Sequence, residues 1–191
     1  MKTLFISTYN DLITIGLLYD GQTKTKKEQE SHHGHSIYLV PLIDEITKEN
    51  KITVNDLNEV IVVNGPGSFT GIRLGITVAK TLAYTLNIPI KTITSIEALA
   101  ASVKEKNKII TIDDNKGKYI GVFTDGKLDK DIIYLKEDTA KDFLSQQSYK
   151  IYANENLDLE RIYEYTKDLK PTNPHAVKAI YIKEIEALNG R

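Results

Sequence analysis

Residues 59–86, EVIVVNGPGSFTGIRLGITVAKTLAYTL, decide the fold. The stretch opens as a short apolar strand over 59–64, turns through two glycines and a proline, and closes as a long helix over 71–86. Gly65 and Gly67 are free to take positive φ, Pro66 fixes one bend, and Ser68 or Thr70 can cap the helix. A strand-to-helix elbow follows. Its geometry points N–H groups at the helix N-terminus, so an anion site is one reading, and a loop that merely turns the chain is the other. The spacing G-x-G-x-x-x-G is not the dinucleotide fingerprint, and no Gly-Lys-Ser/Thr closes it as in a P-loop.

Along the helix, Gly71, Gly75, Ala79 and Ala83 recur every four residues, a row of small side chains that lets another helix approach closely. That partner is either internal, the apolar helix expected over 36–48, or a second chain. Arg73 is one of three arginines among 25 cationic residues and falls in the first turn, where the helix dipole disfavours it. A carboxylate or a partner contact would account for it; a solvated arginine is the plainer reading.

Outward from the elbow, residues 3–8 and 12–19 read as strands, and Asp20-Gly21 turns the chain into the Lys-rich run 22–30, an edge strand with one wet face. Ser36 can cap the next helix, with Leu39, Leu42, Ile43 and Ile46 at helical spacing and Pro41 kinking it or marking its first turn. A strand over 90–94 and a helix from Ser95, opened by a Thr94–Glu97 capping box, complete the order β-β-β-α-β-α-β-α. The order then restarts: strands at 109–112, 119–124 and 127–135, a helix near 139–145, a strand at 150–153, a helix near 157–167, and a last helix after Asn173-Pro174. This predicts an α/β protein of the actin-like, ribonuclease H-like (ASKHA) class: two lobes, 1–106 and a shortened 107–191, with mixed sheets flanked by helices.

Composition narrows function. The 25 Lys+Arg and 26 Asp+Glu leave a net charge of -1, so no global positive field holds a polyanion, and tRNA contact is expected only within a complex. The absence of cysteine removes thiolate chemistry and fits a reducing compartment. No run approaches the ~18–20 apolar residues of a membrane span. A cytoplasmic protein without a membrane partner is expected.

GPGSFTGIRLG at 65–75, with HSIYLVPLIDE at 35–45 and IPIKTITSIEALA at 88–100, resembles the TsaB family, also called YeaZ, over residues 1–123. The resemblance implies a two-lobed, non-catalytic partner of the TsaD transferase and of TsaE in making threonylcarbamoyladenosine at position 37 of tRNA. It places a partner interface, to TsaD or to a second copy, on the helices carrying His35, Leu39, Leu42 and Ile46 and Gly71, Ile72, Gly75, Ala79 and Ala83. The motif loop is Gly65, Pro66, Gly67, Ser68, Phe69, Thr70 and Arg73. No cofactor is expected to bind tightly, although a nucleotide at a subunit boundary fits the class. The family's first strand ends in Ile-Asp-Thr where this chain has Ile6-Ser7-Thr8; its Asp-Ala-Arg appears as Asp113-Asp114-Asn115, and its Pro-Val-Tyr-Leu-Arg as Ala179 to Lys183.

Two enzymatic readings compete. An actin-like ATP-dependent phosphotransferase needs a carboxylate at the Ser7 position and a glycine-rich turn in the second lobe, yet no glycine stands between Gly126 and Gly190. A metallopeptidase is prompted by His32, His33 and His35, but no H-E-x-x-H occurs and His175 is distant. No catalytic residue and no metal ligand are expected.

Overall fold

A computed structural model describes residues 1–32, 34–153 and 155–182. Its first sheet is built from β1 (Lys2–Ser7), β2 (Leu12–Tyr19), β3 (Gln22–Glu30), β4 (Glu59–Val63) and β5 (Ile90–Ile93), in the order β3-β2-β1-β4-β5. The first three strands are antiparallel, while β4 and β5 join in parallel, each after a helix: α1 (His35–Glu49) and α2 (Phe69–Leu86). Strands β1, β2 and β4 are almost wholly buried because both faces are covered. Thr8 meets α2, whereas Phe5 lies on the other face beside Gly16 and the helix α5 (Leu159–Thr166).

The expected edge strand is β3. Two of its lysines are paired: Lys27 Nζ reaches Glu45 and Glu49 of α1 at 2.8 and 3.0 Å, and Lys26 reaches Glu28 at 2.8 Å. The hydrogen bonds that Lys27 donates to Glu45 and Glu49 push its pKa upward. The α1 helix starts one residue earlier than expected, with Gly34 rather than Ser36 at its N-cap and no side-chain cap, and runs on through Pro41. The Thr94–Glu97 capping box opens α3 (Ser95–Ser102) as anticipated.

The second sheet contains β6 (Lys108–Asp114), β7 (Gly117–Thr124), β8 (Lys127–Leu128), β9 (Ile133–Lys136) and β10 (Ile151–Ala153), with α4 (Glu137–Ser145) before β10. The strand anticipated over 127–135 is two short strands, both pairing with β7. Ile96 of α3 packs at Gly121, and α4 covers the opposite face through a small cluster of Ile109, Ile120 and Ala140. One hydrophobic core joins both sheets, from Leu4 and Phe5 to Ile110, Phe123 and Tyr152.

Two expectations for the tail are corrected. Helix α5, expected within the 107–191 lobe, packs on the first sheet: a Cβ on Gly16 would lie 2.2 Å from Leu159, and one on Gly21 would lie 2.7 Å from the Tyr163 ring. The helix expected after Asn173-Pro174 is a single 3-10 turn, Pro174–Ala176, and the described chain then continues without helix to Ile182. This tail runs back to the elbow, where Ile180 N–H donates to the Asn64 carbonyl at 2.8 Å. Packing against α2, through Lys80 Nζ to the Val177 carbonyl at 3.4 Å, replaces the helical bonds that the sequence suggested. Lys183 lies outside the described residues.

Candidate functional site

The elbow has the backbone that its glycines anticipated. Gly65 and Gly67 take φ of +107° and +151°, the Gly65–Pro66 peptide is cis, and Ser68 Oγ caps α2 by accepting from Gly71 N–H at 3.3 Å. A Cβ on Gly67 would lie 2.2 Å from the Tyr9 carbonyl oxygen. The polar groups of the loop are turned inward. Ser68 N–H donates to the Tyr9 carbonyl at 2.6 Å, Ser95 N–H to Gly65 O at 2.9 Å, and Ser95 Oγ to Pro66 O at 2.5 Å. The elbow therefore joins β1, β4 and α3 internally, which favours the chain-turning reading over an anion cradle.

The nine side chains expected at a partner surface point into the protomer. Leu39, Leu42, Ile46, Ile72, Ala79 and Ala83 belong to the core, and His35, Gly71 and Gly75 are buried beside them. A Cβ on Gly75 would lie 2.3 Å from Thr8 Oγ1, and one on Gly71 would lie 2.2 Å from Thr8 O and 3.0 Å from His35 Nε2. The small row exists so that α2 can settle on the end of β1, which is why it cannot serve a second chain directly. His35 Nε2 bonds the Asn10 carbonyl at 2.8 Å and Ser31 Oγ at 3.3 Å, tying α1 to the β1–β2 connection.

The outer face of the same helices carries different residues. On α1, Ile37 is 66% and Val40 57% exposed. Between the helices runs a groove of about 390 Å³ lined by Val40, Ile43, Asp44, Val54, Thr77, Val78, Thr81 and Leu82. Thr77 and Thr81 Oγ1 donate to the carbonyls four residues back, Arg73 O at 2.8 Å and Thr77 O at 2.9 Å, so neither hydroxyl loses a partner if the groove is covered. The sequence held a signal for this face: Ile37 and Val40 are apolar but out of phase with the Leu39, Leu42, Ile43, Ile46 stripe.

Two other cavities have charge already committed. One of about 510 Å³ is lined by Lys108, Arg161 and Tyr165 among others. Lys108 Nζ donates to Ala100 O and Val103 O at 2.5 and 2.9 Å, and Arg161 Nε to Ala101 O at 2.8 Å, so both cations cap the carbonyl end of α3. Burial lowers the Lys108 pKa, with the nearby Arg161 adding to the effect. The other, about 530 Å³, is lined by Tyr9, Asp11, Glu28, Glu30 and Glu155, a sign of charge that repels phosphate. Ser7 is fully buried, and its Oγ has no partner among the described residues. His32 stands 3.3 Å from Glu30 on the surface, His33 lies outside the described residues, and no metal-holding group of His, Asp or Glu forms among those described.

The strand order, with a glycine elbow between β4 and α2, defines an actin-like α/β protein. YeaZ from Pseudomonas aeruginosa superposes on it with a TM-score of 0.78 at 17% identity, covering 94% of this chain and 100% of that one. A family model described as "TsaD: tRNA N6-adenosine threonylcarbamoyltransferase" matches residues 25–171, well past residue 123, the limit of the resemblance carried by the motifs. The chain belongs to this family, and within it to the TsaB/YeaZ proteins. The tRNA threonylcarbamoyladenosine biosynthesis protein TsaB of Bacillus subtilis (strain 168) is 33% identical over 126 residues, 64% of this chain and 55% of that protein. The protein of the same name from Buchnera aphidicola (subsp. Acyrthosiphon pisum) is 29% identical over 166 residues, 76% of this chain and 75% of its own. The first of these alignments spans about half the length of the relative.

Proposed function

We propose that this chain is a non-catalytic subunit required for threonylcarbamoyladenosine formation at adenosine 37 of tRNA. It works by docking the outer face of α1 and α2 onto a TsaD-type transferase, with a TsaE-type ATPase joining the pair in the cytoplasm. The observation that carries this reading is the apolar groove beside exposed Ile37 and Val40 on an otherwise well-packed helix pair. Covering such side chains contributes about 1.5–3 kcal/mol each, enough for a few of them to anchor a complex. The names of the relatives supply the pathway. The hydroxyl of Ser7, at the end of β1 where a phosphotransferase of this class needs a carboxylate, speaks for a supporting role rather than chemistry in this chain. Pairing of two copies through the same face is the resting alternative to the mixed pair, and tRNA is met only inside the assembly.

Reconstitution tests the reading. Transferase, ATPase, threonylcarbamoyl-adenylate and tRNA should give little modified nucleoside until this chain is added, and Val40→Asp should fail to restore it. Full modification without the chain, or full rescue by Val40→Asp, would overturn the proposal.

A further inference from the structure

Arg73 is the one charged residue of the 65–75 motif. It stands on the outward row of α2, one turn before Thr77, which lines the groove. Its guanidinium carbon sits 3.8 Å from the Phe69 ring centroid and 5.6 Å from that of Tyr181, and its Nε donates to Tyr181 Oη at 2.7 Å. The two rings are 5.4 Å apart, and each residue remains nearly half exposed, Phe69 at 47% and Tyr181 at 44%. The tail thus returns across the molecule to hold one arginine at the surface.

Three physical points follow. Stacking and the Nε bond fix the plane of the fork, so ordering its long side chain is largely done before any partner arrives. Among the described residues, Nη1 and Nη2 carry no hydrogen bond, which leaves the paired outer edge of the fork for an acceptor. The helix starts at Phe69, two residues before the expected start, so Arg73 is its fifth residue and stands past the first turn, where the helix dipole acts on it only weakly and leaves its charge available to an anion.

We infer that Arg73, held by Phe69 and Tyr181, is a specificity-determining receptor for a carboxylate on the protein that covers the α1–α2 groove. The inference rests on the docking reading above. Continuity along one helix supports a carboxylate of that same partner: a chain laid over Thr77 and Thr81 passes Arg73 within one turn. A planar fork pairs with a carboxylate through two parallel hydrogen bonds, a geometry lysine cannot reproduce. The groove itself brings one charge among its described lining residues, Asp44, so Arg73 supplies the directional contact that the apolar surface lacks.

The test titrates the full chain against the TsaD-type chain of the same genome by calorimetry. Wild type should bind; Arg73→Gln and Arg73→Lys should each weaken Kd about tenfold or more, and Tyr181→Phe, which keeps the ring but frees Nε, by a smaller factor. Added salt should erode wild-type affinity more than that of Arg73→Gln. Unchanged melting temperatures show that the variants are folded. If Arg73→Gln or Arg73→Lys binds as tightly as wild type while Val40→Asp does not bind, this inference falls and the docking reading stands. If wild type itself does not bind, both fall together.

Discussion

Helix α2 shows two faces with the same period and opposite uses. Inward, Gly71, Gly75, Ala79 and Ala83 repeat every four residues and let the helix reach the end of β1. Outward, Phe69, Arg73, Thr77 and Thr81 repeat with the same spacing and stay exposed. The comparison teaches that a row of small residues reports close approach without saying to what. Here the close approach is to the protein's own sheet, and the surface open to others is the row of larger residues one face round.

The largest effect should come from breaking the inward row. Gly75→Leu places side-chain atoms where a Cβ alone would lie 2.3 Å from Thr8 Oγ1, and Ala79→Phe overfills a fully buried site. Each should cost about 3 kcal/mol or more, read as a lost or much lowered melting transition. Retention of the wild-type melting temperature by Gly75→Leu would put the row back on the surface.

Next comes the alkaline limb, which probes how tightly the β1 end is closed beneath that row. Burial pushes the Tyr9 hydroxyl up to about 12 from 10.0. An unfolded chain releases this proton above pH 10 while the folded one keeps it, so stability falls as pH climbs from 10 towards 12. The loss reaches about 2–3 kcal/mol by the upper end. Tyr9→Phe should flatten that part of the slope, measured by denaturant melts across the window; an identical slope would show that Tyr9 is open to solvent.

Ser95→Ala should cost less, about 1–2 kcal/mol, because it strands the Pro66 carbonyl that its hydroxyl now satisfies within the elbow. Urea midpoints check this, and a change below the error of the melts would mean that the elbow holds itself. The smallest stability change is expected on the outward side. Val40→Asp, at a site 57% exposed, should stay within about 0.5 kcal/mol of wild type while docking is lost. A variant that unfolded would make Val40 part of the core and close the contrast between the faces.

Much of the architecture was legible in the chain. Alternating and fully apolar runs marked β1, β2 and β4, the glycines and Ser68 marked the elbow and its cap, and Thr94 with Glu97 marked the start of α3. These are local signals, because positive φ, caps and strand burial depend on neighbours in sequence. The site was less legible. Periodicity gives the spacing of a row and not its azimuth, so the row expected at a partner surface is the side of α2 that the sheet takes. The partner of Arg73 could not be read at all, since Tyr181 stands 108 residues away.

What the sequence determined by itself was the order of elements, the shape of the elbow and membership of a recognisable family. What tertiary structure alone decided was which row of α2 meets the sheet, that α5 and the tail return to the first lobe, and that an aromatic pair holds Arg73. The physical reason is that local conformational preferences act over a few residues. The choice of packing face is instead settled by total buried area and steric fit across segments far apart in the chain.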